Sequence, residues 1–331
     1  MLTTSIKGRT LDYSRVVGGR LFRGIVNATI GEKDNVYVVL RDSYNSGIVK
    51  LDIGNDPDDE SEILSFNDTS PGVFDATWPA CAVFYQDEIF VTDELNSEIL
   101  VFTPEGKLLR KFGSPGNTAG KLDRPSGITS NTSGQILVSD TMNDRIQIFD
   151  THGTHISSFG REGSKDSELL SPWGITTDYA DNIFVSDHLN HRIQKFDPEG
   201  NFLFSFGNIG TNYETLNHPS DVAVDPAGDI YVADWANNRI QIYDPDGHHI
   251  GGLKGSAYQL SKWQEQYVQG NPDVYKARRR VASLEPEKFF ALPTCVLFDE
   301  SKSRLLAIDS QRWRIQIYNK LENYSDPQFN I

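Results

Sequence analysis

Two cysteines, Cys81 and Cys295, in 331 residues leave no disulfide framework, and both read as small buried hydrophobes. No stretch approaches the roughly 20 consecutive apolar residues that a membrane-spanning helix needs. The opening Met1-Leu-Thr-Thr-Ser-Ile-Lys7 lacks the basic-then-apolar pattern of a secretory leader. With Met1 as the natural start, the expectation is a cytoplasmic protein with no membrane partner. Basic residues are outnumbered by acidic ones, 31 to 46, for a net charge of −15. Nucleic acids are gripped largely by neutralising phosphates. With Arg278–Arg280 as the one compact basic cluster, RNA or DNA is disfavoured as a partner. Neither a nucleophile elbow, a phosphate-binding Walker loop nor a dinucleotide fingerprint occurs in a strand–turn–helix context.

What is present is a repeat. Asp140-Thr-Met-Asn143-Asp-Arg145-Ile-Gln147 returns as Asp187-His-Leu-Asn190-His-Arg192-Ile-Gln194 and as Asp234-Trp-Ala-Asn237-Asn-Arg239-Ile-Gln241. Weaker copies begin at Asp42, Asp93 and Asp309. The six anchoring aspartates are spaced 51, 47, 47, 47 and 75 residues apart, so the last interval carries 28 residues beyond the period. Each period has short β-rich runs separated by Gly, Pro, Asn and Asp turns, the content of a four-stranded antiparallel blade. In the fourth copy the strands are expected at 173–177, 183–186, 192–196 and 202–206. Six copies of one unit imply a six-bladed β-propeller occupying residues 1–331 as a single all-β domain. The last copy lacks a fourth strand, and Tyr13–Gly18 resembles the fourth strands of the other copies. The N-terminus is therefore expected to close the ring, which also covers an edge that would invite aggregation.

The pattern Pro-x-Gly-Ile followed by Asp-x-x-Asn-x-Arg-Ile-Gln-x-Phe resembles the NHL repeat. The resemblance implies the propeller fold, but no one activity, because NHL propellers include protein- and RNA-binding modules, a sensor domain and lyases. The recurring Asp and Arg, five apart across a tight turn, read as latches that maintain each blade. The intervening Asn suits a turn position that tolerates left-handed backbone. Function is then expected where the blades differ. The first strand of each blade lines the channel, and the loop entering it shares an end, the top, with the turn after each anchoring Asp. The positions entering the channel are Val26, Ala80, Ser126, Trp173, Ser220 and Thr294. Those after each Asp are Ser43, Glu94, Thr141, His188, Trp235 and Ser310, with Tyr44, His191 and Trp313 close by. Aromatics with a few polar groups around a concavity are the normal makings of a ligand site. The expected site is therefore Trp173, Trp235, Tyr44, His188, His191, Trp313, Ser126, Ser220 and Thr294, taking a protein partner or a small molecule. A second reading is a metal-dependent lyase or hydrolase that uses zinc or calcium in the channel. In the peptide-amidating lyases, whose propeller is similar to NHL repeats, histidines follow the proline that precedes a first strand. Here those positions hold Ala80, Ser126, Trp173, Ser220 and Thr294, so the metal candidates are His188, His218 and Glu94, with Asn27 and Asp221 as further oxygen donors. His152, His155, His248 and His249 are expected at solvated turns on the opposite end.

The extra length before the sixth copy, about 255–290, reads as helical. Leu260, Trp263, Tyr267 and Val268 recur at helical spacing, as do Val274, Tyr275 and Val281. Asn271-Pro272 is a helix start, with Asn as N-cap. The insertion is expected as a helical hairpin over the channel mouth, acting as a lid or docking surface.

Overall fold

The computed structural model describes residues 3–6, 9–42, 46–54, 60–67 and 78–321. Six antiparallel sheets form the ring. Blade 1 runs Ile25–Ile30, Asn35–Leu40, Gly47–Asp52 and Ser61–Asn67; blade 4 runs Pro172–Thr177, Ile183–Asp187, Arg192–Phe196 and Phe202–Phe206. Blades 2, 3 and 5 repeat the meander, and the blade 4 strands match their expected positions to within one residue.

Both faces of a blade pack on neighbours, so the second strands read as apolar runs without polar alternation. In blade 1, Val36–Leu40 is buried throughout. The core is accordingly divided into six clusters, each between two adjacent blades. Phe184, Ile193 and Tyr243 sit between blades 4 and 5, and Ala28, Val38, Leu306 and Ile315 between blades 1 and 6.

Blade 6 holds Pro293–Asp299, Arg304–Asp309 and Arg314–Leu321, and its outer strand is Arg9–Gly18 from the N-terminus. That strand pairs antiparallel from Gly18 opposite Arg314 to Thr10 opposite Leu321. The ring closes as the sequence implies. A further strand, Thr3–Ile6, not expected from the sequence, adds beyond it. Ion pairs fasten the seam to blade 5: the Arg9 guanidinium donates to Asp229 at 2.9 and 3.0 Å, and Lys320 reaches both Asp229, at 2.9 Å, and Asp225.

The insertion holds two helices, α1 (Lys262–Gly270) and α2 (Pro272–Arg279), but it does not lie over the channel. Trp263 packs on Phe22 with ring centres 6.0 Å apart, Arg20 lies over Tyr267, and Ser261 donates to the Gly18 carbonyl. These contacts dock α1 on the outer strand of blade 6 and the crossing into blade 1. The α1 start missed by sequence is a capping box, Ser261 with Gln264. Asn271 stands at the N-cap of α2, but its side chain donates back to the Tyr267 carbonyl and caps nothing in α2. No residue of α2 is buried, and Tyr275 and Val281 are half exposed rather than packed. No helix among the described residues is long and apolar enough to cross a membrane.

Candidate functional site

The repeated residues form a brace at the top of blades 3 to 6. Asp234, fully buried, accepts the Asn217 N–H at 2.7 Å on one oxygen and Arg239 Nε at 2.7 Å on the other. Arg239 then donates to the carbonyls of Thr211, Asn212 and Thr215 in the loop that enters the blade. Asp140, Asp187 and Asp309 repeat this with Arg145, Arg192 and Arg314. Burial raises the pKa of Asp187, Asp234 and Asp309 against the pull of these partners. The Gln two residues after each Arg joins in, Gln147 binding both Lys121 O and Asp140. In blade 6, Arg314 and Gln316 capture the carbonyls of Glu287, Phe289 and Lys288. The insertion therefore ends in an ordinary incoming loop, and its extra length is displaced outward.

The turn is one residue out of step with the expected arrangement. Asn143, Asn190 and Asn237 do not hold the left-handed backbone; Asp144, His191, Asn238 and Trp313 do, each with φ between 53 and 57°. The Asn side chains instead bridge their Asp to the incoming loop, as Asn190 does to Gly163 O at 2.8 Å. The left-handed residue reaches the next blade. Asp144 accepts the Ser171 N–H at 2.7 Å, Asn238 the Leu292 N–H at 2.8 Å, and His191 Nδ1 the His218 N–H at 3.1 Å.

The residue after each Asp makes a second link. Thr141 donates to Pro172 O at 2.9 Å, and His188 Nδ1–H to Pro219 O at 3.1 Å. These bonds fix the tautomers. His188 carries its proton on Nδ1 and leaves Nε2 as an acceptor; His191 carries its proton on Nε2. His218 Nδ1–H meets Asn217 Oδ1 at 2.7 Å and also leaves Nε2 free to accept.

A cavity of about 110 Å³ opens at the top of the channel. All six expected channel-entering positions line it: Val26, Ala80, Ser126, Trp173, Ser220 and Thr294. Ser126 and Ser220 are also links, donating to Trp173 O and Pro293 O. Over blades 4 and 5 the wall is aromatic. Trp173 stacks on His188, centres 3.7 Å apart and planes 12° off parallel, and meets Trp235 edge-on at 6.3 Å. His218 lies 5.0 Å from His188 and 4.3 Å from His191. Burial, with smaller contributions from the neighbouring imidazoles His218 and His191, drops the His188 pKa to about 4. Over blades 1 to 3 the wall is charged. Arg41 donates to Glu94 at 2.7 Å and Arg124 donates to its other oxygen at 2.5 and 3.1 Å.

One register position deeper, Asn27, Cys81, Gly127, Gly174, Asp221 and Cys295 stand at equivalent places around the throat. Where this position carries a polar side chain, it ties its inner strand to the next. Asn27 accepts the Ala82 N–H at 3.2 Å, and Asp221 the Val296 N–H at 3.1 Å. A Cβ on Gly174 would fall 2.3 Å from an Asp221 oxygen, so this position must stay glycine for blades 4 and 5 to approach. Burial pushes Asp221 up to about 7 and the Cys81 thiol up to about 12. Cys295 is fully buried, as expected, whereas Cys81 is partly exposed to the channel.

The structure thus joins Trp173, Trp235, His188, His191 and His218, and sets Ser126, Ser220, Thr294 and Glu94 around the same mouth. Trp313 is apart, on the turn of blade 6, 38% exposed; Tyr44, with Ser43, lies outside the described residues. His188, His218 and Glu94 do not bring three ligand atoms within 4.8 Å of one another; among the described residues only Asp244, Asp246 and His248 do, on a bottom turn. No insertion residue lines the cavity. Of the histidines expected at solvated turns, His152 and His248 are exposed, but His155 and His249 lie in strands, and His249 meets Gln241 at 3.1 Å. Sequence reasoning missed Arg41 and Arg124, which belong to no motif; only their place beside a blade's top turn marks them.

Comparison with known proteins agrees with this architecture. The NHL repeat family matches residues 122–149 and 216–243. Virginiamycin B lyase from Staphylococcus aureus superimposes with a TM-score of 0.58 at 13% identity, covering 93% of this chain and 99% of the lyase. A streptogramin B lyase gives 0.56 at 16%, covering 96% and 100%. A protein of unknown function from Bacteroides thetaiotaomicron gives 0.62 at 12%, covering 94% and 73%. At these identities the likeness is one of fold.

Proposed function

We propose that this chain, a six-bladed β-propeller of NHL repeats, is a binding module that takes a small ligand or a partner's projecting group at the top mouth of its channel. The observation that carries the reading is where the blades stop being alike. Thr141 and His188 both serve as links to the next blade, whereas the same position in blade 5 holds Trp235, whose indole has no hydrogen-bond partner among the described residues and is partly exposed. An indole without a hydrogen-bonding task, edge-on to the cavity-lining Trp173, is what a ligand-stacking surface requires.

Trp173→Ala and Trp235→Ala are each expected to weaken a mouth ligand by about tenfold or more, in the range of an aromatic hot spot, with thermal midpoints close to that of the parent. Calorimetric titration with a ligand found by fragment screening measures this. Unchanged affinity in both variants would remove the site.

The runner-up, a metal-dependent lyase or hydrolase, draws on the free Nε2 atoms of His188 and His218, whose rings lie 5.0 Å apart, and on the lyases that share the fold. Imidazole nitrogens are common zinc ligands. Glu94, the third candidate, is held by two arginines instead. This reading predicts a near-stoichiometric divalent ion, by elemental mass spectrometry of protein purified without chelator, that His218→Ala abolishes. Metal-free protein would discard it.

His188 also gives a pH prediction. Its folded pKa, about 4, lies below the ordinary value of 6.5, so the unfolded chain binds the proton more readily. Its contribution is present above pH 6.5 and is lost as pH falls towards 4, by about 3 kcal/mol at most. Asp221, raised to about 7, contributes with the opposite sign over the same interval. Denaturation should therefore show the parent losing stability relative to His188→Thr, which installs the blade 3 solution, as the pH falls from 7.5 to 4.5. A constant difference would refute the assignment.

A further inference from the structure

Resting on the mouth reading above, we propose that the ligand joins a planar apolar group to an anionic one, a carboxylate or a phosphate. The ring of positions after the anchoring Asp decides this. In blades 3 and 4 that residue donates to the next blade's proline carbonyl. In blade 2 it is Glu94, both of whose oxygens accept from arginines, and in blade 5 it is Trp235. Blades 2 and 5 are three apart in a six-membered ring and face each other across the mouth. Ser310 of blade 6 donates within its own blade, to Leu292 O. Glu94 and Trp235 thus set a charged cluster against an aromatic pair, Trp235 standing edge-on to the cavity-lining Trp173, on opposite sides of one mouth.

The charge on the polar wall is positive. Glu94 is shared by Arg41 and Arg124, leaving one guanidinium charge uncompensated within the cluster. Arg41 uses Nη1, and Arg124 uses Nε and Nη2; Arg41, whose guanidinium lies over the Trp78 ring at 5.6 Å, keeps Nε and Nη2, and Arg124 keeps Nη1, without a hydrogen-bond acceptor among the described residues. Arg41 is half-buried, and burial lowers its pKa, so its charge is incompletely solvated. The remaining acid of the cavity, Asp221, sits deeper and turns one oxygen to the Val296 N–H. A chain of net charge −15 thus carries surplus positive charge at its channel mouth. Guanidinium forks with spare donors match carboxylate and phosphate oxygens. The opposite wall, Trp173 backed by His188 with Trp235 edge-on, suits a flat ring.

The test uses the whole chain with its tryptophans replaced by 5-fluorotryptophan, the Trp173 and Trp235 signals being assigned from their alanine variants. Three probes are titrated by fluorine NMR: 2-naphthoate, 2-naphthamide and 2-naphthylmethylammonium. The carboxylate is expected to shift both signals and to bind at least about tenfold tighter than the amide, the scale of one charge-assisted pair. Arg124→Gln, at an exposed side chain, should shrink that preference, and Glu94→Gln, which frees both arginines, should enlarge it. Equal binding of amide and carboxylate, or preference for the ammonium with Glu94→Gln weakening it, would overturn the anionic assignment and keep the mouth as a binding site. Signals unmoved by all three probes would take down the mouth reading itself.

Discussion

Replacing Asp234 with alanine is expected to cost about 3–5 kcal/mol, the range for leaving one partner of a buried ion pair uncompensated. Arg239 has 8% of its side chain exposed and Asp234 none. The substitution would strand that guanidinium and remove the acceptor of the Asn217 N–H and of Asn237 Nδ2. The loss extends beyond one pair, because the same carboxylate fixes the second-to-third strand turn and the loop from the preceding blade. In a repeat protein the interface between neighbours is a large share of the stability of each unit. Guanidinium denaturation would show the midpoint falling far more than for Asp246→Ala, an exposed turn residue for which changes within about 0.5 kcal/mol are ordinary. Equal midpoints for the two variants would show that the brace is dispensable.

The same brace explains which parts of the architecture could be read from sequence. Asp, Arg and Gln recur at fixed spacing in blades 3 to 6 because each of these blades solves one local problem in the same way, tying its top turn to its incoming loop. Counting from Asp140 and Asp187 therefore located the strands, the channel end of each first strand and the six residues at its mouth. Links that cross to another blade leave no such trace. His191 and Asn238 look like unrelated turn residues until both are seen accepting an N–H from the next incoming loop, 27 and 54 residues away. Nothing in the sequence shows that the Nδ1 proton of His188 is committed to Pro219 O, a link to the next blade. Arg41 and Arg124 meet only through Glu94, 53 and 30 residues distant. The insertion was legible as extra length and as helix, but not as to its side of the ring. That is set by the burial of Trp263 against Phe22 and by Arg314 holding the far end in register. Periodicity reports a unit's internal solution; contacts between units depend on chemistry that any of several side chains can supply.

Deleting residues 1–18 is expected to abolish the cooperative fold. The strand Arg9–Gly18 buries Leu11, Val16 and Val17. At about 1.5–3 kcal/mol for each large apolar side chain, these three alone represent roughly 5–9 kcal/mol, comparable with the whole stability of a typical domain. The deletion would also expose the edge of Arg314–Leu321 along its full length, including Ile315, Ile317 and Tyr318, and an unpaired apolar edge recruits other chains. Arg9 would no longer hold Asp229, and Gly18 would no longer receive Ser261 from the start of α1. The helical insertion would thus lose its seat together with the blade. Circular dichroism and light scattering after size exclusion should find no sharp thermal transition and a raised mass. A synthetic peptide of residues 1–19 added in trans should recover part of the transition, since it restores the pairing without the connection. A truncated chain that stays monomeric and melts within a few degrees of the parent would show that the remaining five and three-quarter blades close without their N-terminal strand.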